Sequence, residues 1–136
     1  MIIKSFDLQN KNLNLKKFVL FYGKNEGHKN EEILKLIDKK KNISNYDEKE
    51  ILENPDNFIN NLLSGSLFDN EKIIIIKRTT DKIIKIVEEL VDLNLNDINF
   101  ILNSDTLEKR SKLRSLFEKD KKLICVPFYP DTEQTL

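Results

Sequence analysis

Cysteine is almost missing: of 136 residues only Cys125 is one, so neither an intrachain disulfide nor a cysteine-rich metal site can be built. It sits in the run Lys122-Leu-Ile-Cys-Val126, which reads as a buried strand, and a lone buried thiol fits a cytoplasmic location. No apolar run approaches the roughly 20 residues that cross a bilayer, and no segment has the charged start, apolar stretch and small-residue cleavage site of a signal peptide. A soluble protein with no membrane partner is therefore expected. An excess of one charge is also lacking, since 23 Lys and Arg balance 23 Asp and Glu. That leaves no global field to draw in a polyanion and favours a partner of defined shape. Alanine is absent while Ile, Lys and Asn abound, a bias of AT-rich coding that gives runs such as Lys39-Lys40-Lys41 little weight. No His, Cys, Asp and Glu cluster has ligand spacing, so neither metal nor cofactor is predicted.

What is present alternates. Phe18-Val-Leu-Phe-Tyr22 is an unbroken apolar run stopping at Gly23, the pattern of a strand buried on both faces of a parallel sheet. From about residue 26 to 38, Ile33, Leu34, Leu36 and Ile37 fall at helical spacing, with Glu31 and Glu32 expected on the solvated side. Residues 42–47 are a poor strand by propensity, although Ile43 and Tyr46 suit an edge position. Asn54-Pro55 caps and begins a helix carrying Phe58, Ile59, Leu62 and Leu63, which Ser64-Gly65 ends. The run from Ile73 to Ile76 reads as a strand, and Thr80-Asp81 as the cap of a helix with Ile83, Ile84, Val87, Leu90 and Val91 on one stripe. Ile98 to Leu102 follows as a strand, about 107 to 118 as a helix, and Lys122 to Val126 as a last strand before Pro127 and Pro130. There is no internal repeat and no long linker. Such alternation implies right-handed crossovers, so the expected fold is α/β, one domain over residues 1–136 with five parallel strands flanked by helices.

The turn after the first strand is where a P-loop would stand. Its pattern, G-x-x-x-x-G-K-[ST], needs glycine for a tight anion-cradling turn, lysine for the terminal phosphates and a hydroxyl for magnesium. The window here is Gly23-Lys-Asn-Glu-Gly-His28-Lys29-Asn30. Gly23 and Lys29 match, but His28 replaces the second glycine, Asn30 the hydroxyl residue, and Gly27 stands one place early. An ATPase also needs acids at the end of a buried strand to organise magnesium and water. After Ile76 come Lys77 and Arg78, which would repel the metal. Both halves fail independently, so a P-loop-like scaffold without a working nucleotide site, and no catalysis, is expected. A catalytic P-loop ATPase is the alternative that Gly23 and Lys29 motivate. His28 has no Ser or Cys nucleophile beside it and reads as a capping or solvated side chain rather than a general base.

Two features point to interaction instead. Lys109, Arg110, Lys112 and Arg114 crowd one helix, either as a DNA-phosphate face or as a solvated face offset by Glu108 and Glu118. Past the helix stop at Gly65, Ser66-Leu67-Phe68-Asp69-Asn70 puts two large apolar residues in a polar turn. Such a pair either tucks under the sheet or faces outward as an anchor.

Three segments in order, across nearly the whole chain, carry a resemblance: Phe21-Tyr22-Gly23-Lys24-Asn25-Glu26; Gly65-Ser66-Leu67-Phe68 before the strand from Lys72 to Lys77; and Phe100 to Asp105 followed by Lys109-Arg110-Ser111-Lys112-Leu113. With the eroded P-loop, this resembles the N-terminal domain of the DNA polymerase III delta subunit, a bacterial clamp-loader subunit with an AAA+ fold. The resemblance implies a non-catalytic part of the polymerase holoenzyme that binds the sliding clamp (beta subunit) and helps open it for loading onto primed DNA. Leu67 and Phe68 would then plug a hydrophobic pocket on the clamp, with Gly65 and Ser66 shaping the turn that presents them. It also implies partners in the other loader subunits, gamma/tau and delta prime, and only weak or indirect contact with DNA. A DNA-binding fragment is the further alternative, resting on the basic helix. The family's full subunit continues into a helical lid and a collar domain, whereas this chain stops at Asp131-Thr-Glu-Gln-Thr-Leu136, so it is expected to be a truncated form.

Overall fold

Five strands, β1 (Phe18–Tyr22), β2 (Asn42–Asp47), β3 (Lys72–Lys77), β4 (Ile98–Ser104) and β5 (Leu123–Pro127), pair in parallel in the order β2-β3-β4-β1-β5. The computed structural model describes residue 2 and residues 18–37, 42–65, 72–93, 95, 98–120 and 122–128. Each central strand is apolar on both faces because the pleat sends alternate side chains to opposite sides. Phe18, Leu20 and Tyr22 enter one core, and Val19 and Phe21 enter the other.

The helices are α1 (Glu26–Ile37), α2 (Glu48–Glu53), α3 (Pro55–Gly65), α4 (Ile84–Leu93), entered through a 3-10 turn (Asp81–Ile83), and α5 (Lys112–Lys119). Their placement follows from the strand order. The step from β1 to β2 runs one way along the sheet, and every later step runs back the other way. Right-handed crossovers then place α1 on one face and the later helices on the other. Ile33 of α1 accordingly packs with Ile73, Ile75, Ile101 and Phe128. On the opposite face Ile51, Phe58, Leu62, Val87, Leu90, Leu113 and Phe117 cover Ile74, Ile76 and Phe100.

The expected α/β class with five parallel strands is observed, and β2 is an edge strand as its composition suggested. Tyr46 anchors that edge by meeting the Phe58 ring edge-on, with centroids 5.0 Å apart. Several details differ from expectation. Glu32 is buried rather than solvated, because His28 Nε2 at 3.7 Å and Lys35 Nζ at 3.2 Å flank its carboxylate. Leu34 is 63% exposed, since it stands next to the inward Ile33 on the helix and cannot share its direction. The fifth helix starts at Lys112 and not near residue 107, because Ser111 is its N-cap, with Oγ accepting from the Arg114 amide at 3.2 Å. The short helix α2 was not anticipated. It is set by a capping box in which Asp47 accepts from Lys49 N at 3.2 Å and Glu50 accepts from Asp47 N at 3.1 Å.

Cys125 lies in β5 opposite Leu20 and is wholly buried in the larger core. Burial pushes its thiol up to about 12, so the thiolate that attacks disulfide reagents is nearly absent at neutral pH. The folded chain is expected to resist a thiol-specific disulfide reagent at pH 8 and to react fully once unfolded in denaturant. Rapid stoichiometric reaction of the native chain would show that β5 does not pack as described.

Candidate functional site

Where successive crossovers leave adjacent strands in opposite directions, an open α/β sheet has a crevice at the carboxyl ends of its strands, the usual ligand position in such folds. Here that point lies between β1 and β4. A cleft of about 430 Å³ opens beside it, lined by Glu26, Asn30, Lys77, Arg78, Thr79, Thr80, Asn103 and Asp105. Cations and carboxylates are equally represented in that lining, so it is not a positive funnel for polyphosphate.

The loop that would cradle phosphate is short and occupied by the chain itself. Only Gly23, Lys24 and Asn25 separate β1 from α1. The Glu26 amide donates to the Lys24 carbonyl at 2.8 Å, and the His28 amide donates to Asn25 Oδ1 at 3.2 Å. Gly23 has φ of 126°, and a Cβ placed there would lie 1.8 Å from the Phe128 carbonyl oxygen. It is glycine because Phe128, just past the end of β5, runs close against it, the Phe128 amide donating to the Tyr22 carbonyl at 2.8 Å. Gly27, His28, Lys29 and Asn30 are all inside the first turns of α1.

Lys29 decides what the site can do. Its side chain is 0% exposed, and Nζ donates to Glu26 Oε1 and to the Ser104 carbonyl, each at 2.7 Å. A buried ammonium must be partnered this way. It does not line the cleft, whereas Asn30 does. His28 turns aside, its ring edge-on to Phe128 with centroids 4.8 Å apart. The four P-loop positions therefore share one end of the sheet but do not converge on a common point.

At the end of β3, Lys77 and Arg78 both line the cleft. Arg78 takes a left-handed backbone with φ of 55° and pairs with Asp47, and this guanidinium holds the Asp47 carboxyl below the usual carboxylate range. Glu48, nearly buried, accepts from the Thr80 amide at 2.7 Å and the Thr80 hydroxyl at 2.9 Å. Thr79 and Ser104 share a hydroxyl–hydroxyl bond, and Ser104 Oγ also donates to the Thr79 carbonyl at 2.8 Å. These contacts tie the carboxyl ends of β2, β3 and β4 together. Among the described residues no buried side-chain nitrogen or oxygen lacks a partner, so no orphaned donor awaits a ligand.

Asp81 extends this bracing to α5. Its Oδ1 accepts from Ser111 Oγ at 2.6 Å and the Leu113 amide at 3.0 Å, and its Oδ2 from the Lys112 amide at 3.2 Å. The Ser111 hydroxyl, then the Leu113 amide, lowers the Asp81 pKa below its ordinary 3.8. A carboxylate with a depressed folded pKa contributes stability that is present above 3.8 and lost as pH falls through the lower folded value. Asp81→Asn should therefore cost about 1 kcal/mol at neutral pH, a figure kept small because the carboxylate is largely exposed. Urea midpoints of both forms should converge as pH drops below 3.8. A gap constant down to pH 2, at the low end for carboxyl groups, would contradict the assignment.

The basic residues expected on one helix resolve into unlike positions, Lys109 and Arg110 preceding α5 and Lys112 and Arg114 lying within it. Arg114 is drawn inward, with Nε on Glu118 at 2.9 Å, NH1 on the Leu107 carbonyl at 3.0 Å and its guanidinium 5.2 Å from the Tyr22 ring centre. The Glu118 carboxylate holds its pKa above the usual value. Arg110 pairs with Glu108 at 2.7 Å. The expected pairing with Glu108 and Glu118 is thus observed, but only Arg110 lies on a solvated face, Arg114 being turned inward. Gly65 is the last residue of α3, while Ser66, Leu67 and Phe68 lie outside the described residues. Sequence reasoning missed Glu26, Thr79, Asp81 and Ser104. The spacing of Glu26 and Lys29, one helical turn, was a usable sign of their pairing.

No helix among the described residues is long and apolar enough to cross a membrane, and none of their acidic, His or Cys side chains group as a metal site. No family model matches the chain, and no curated protein matches it.

Proposed function

We propose that the chain is the AAA+-like N-terminal domain of a clamp-loader delta subunit, a scaffold that holds no nucleotide and binds the sliding clamp through Leu67 and Phe68. The observation that carries the reading is Lys29. At the one position where a P-loop lysine would reach a terminal phosphate, the ammonium is buried against Glu26 and the Ser104 carbonyl. The parallel sheet, a crevice lined by as many carboxylates as cations, and the cations Lys77 and Arg78 at the acid position support the same reading. They speak against a catalytic ATPase. The pairing of Arg110 and Arg114 with acids speaks against a DNA-binding fragment. The three sequence segments in order add the identity of the partner.

In mechanism, an apolar plug entering a preformed pocket supplies most of an interface's energy. Binding that favours a clamp with one interface sprung would hold the ring open, and ATP-driven changes in the other loader subunits would expose or hide the plug. The domain acts as a wrench and not as a motor. Size-exclusion chromatography of the chain mixed with a bacterial sliding clamp, without nucleotide, tests the reading. A co-eluting complex is expected, and separate elution at concentrations of about 50 µM, far above the Kd of an anchored interface, would reject it.

A further inference from the structure

A second surface shares no lining residue with the cleft. Between α4 and α5 runs an open groove of about 570 Å³. Its α5 wall is formed by Lys112, Ser115, Leu116 and Lys119, spaced i, i+3, i+4 and i+7 on one helical face. Ile84 of α4 faces them. Ile84 and Leu116 pack against the core from beneath and stay partly exposed above. The groove thus has an aliphatic floor with a cation at each end, about 10 Å apart along the helix.

The charges at this groove are not equivalent. Arg110 at one end is engaged by Glu108, and the carboxylate of Asp120 at the other accepts the Lys122 amide at 2.8 Å. The ammonium groups of Lys112 and Lys119 make no salt bridge with any described residue, although Lys112 lies in the field of the Asp81 carboxylate, and both side chains are exposed. Among the described residues only Ile84 of α4 lines this groove opposite α5, while Asp81 and Ser111 fix the start of α5.

From this arrangement we infer a docking site for an acidic segment of a protein partner, with one apolar side chain between two carboxylates. Ile84 and Leu116 receive the apolar group, and Lys112 and Lys119 receive the carboxylates. On one side of an extended peptide, carboxylates two residues before and two after the apolar one have Cα atoms about 13 Å apart, which their flexible side chains and those of the lysines bridge, so a short segment suffices. Duplex DNA fits less well. Its backbone offers no apolar group to the floor, and with 23 basic against 23 acidic residues the chain lacks the surplus that drives phosphate binding. The inference is independent of the clamp reading, because it uses no residue of the Leu67-Phe68 segment.

Amide chemical shifts of the labelled full chain, titrated with a synthetic peptide of about nine residues, test it. The peptide carries a central leucine with a glutamate two residues to either side, and a control carries glutamines instead. The expected result is saturable shifts centred on Ile84, Ser115 and Leu116, no saturation with the control, and binding at least about tenfold weaker for the Lys112→Glu, Lys119→Glu double variant. Both lysines are exposed, so that variant should stay folded. Absence of saturation up to about 1 mM, where even weak docking registers, would overturn the inference. So would unchanged binding by the double variant, stronger perturbation of the same amides by duplex DNA, or their dependence on protein concentration alone, as a second copy in the groove would produce.

Discussion

Replacing Gly23 with alanine is expected to destabilise the chain by about 3–5 kcal/mol, among the largest effects a single methyl group can have. Two independent costs add. At φ of 126° an L-residue is strained, and the new Cβ would stand 1.8 Å from the Phe128 carbonyl oxygen and 2.8 Å from its carbon. That neighbour is backbone held by its amide to the Tyr22 carbonyl at 2.8 Å, so it cannot rotate away as a side chain would. Relief requires β5 to peel from β1, which exposes Val126 and Phe128. A domain of this size has about 5–15 kcal/mol in all, so the variant should unfold at far lower urea. Gly27 is the control. Nothing lies within 4 Å of a Cβ there and the residue is in α1, so Gly27→Ala should be neutral or add up to about 1 kcal/mol. Equal urea midpoints for the two variants would show that the close approach of Phe128 to Gly23 is wrong.

Truncating Leu67 and Phe68 together to alanine is expected to weaken binding to a sliding clamp by about a hundredfold or more, with folding unchanged. Each buried anchor typically costs about 2 kcal/mol when removed, and under the proposed reading the two would share one pocket. The loss should appear in the dissociation rate, since neither residue is charged and the long-range encounter is unaffected. Urea midpoints matching the unmodified chain would separate loss of the plug from loss of the fold. Undiminished binding by a folded double variant would remove these residues from the interface.

The strands were legible because burial on both faces leaves unbroken strings such as Phe18-Val-Leu-Phe-Tyr22 and Ile73-Ile-Ile-Ile76, whose shortness and β-branched or aromatic content set them apart from a buried helix segment. The polar edge strand β2 was harder to read, since Tyr46 is held by Phe58 in a helix that follows it. The six-residue α2 shows too little periodicity to register, although its capping box between Asp47 and Glu50 was there to be read. The departures from a P-loop pattern were visible residue by residue, but the fate of Lys29 was not. Its partner carbonyl on Ser104 is 75 positions away, and no local pattern announces such a contact. Burial of Glu32 and the bracing of α5 by Asp81 escaped for the same reason. Arg114 was the intermediate case. Glu118 stands four residues on, the spacing of a helical ion pair, yet nothing nearby told that Tyr22 would lie under the guanidinium. Composition and period report burial along an element, whereas polar partnerships across the sheet arise only from the strand order.

The most direct measurement is a calorimetric titration of a bacterial sliding clamp into the chain, run once without nucleotide and once with magnesium and ATP at about 1 mM, well above the Kd of a working ATPase site. A ring-binding scaffold whose Lys29 is turned onto Ser104 should give one saturable isotherm of the same affinity in both runs. No heat of binding, or binding that appears only when ATP is present, would contradict it.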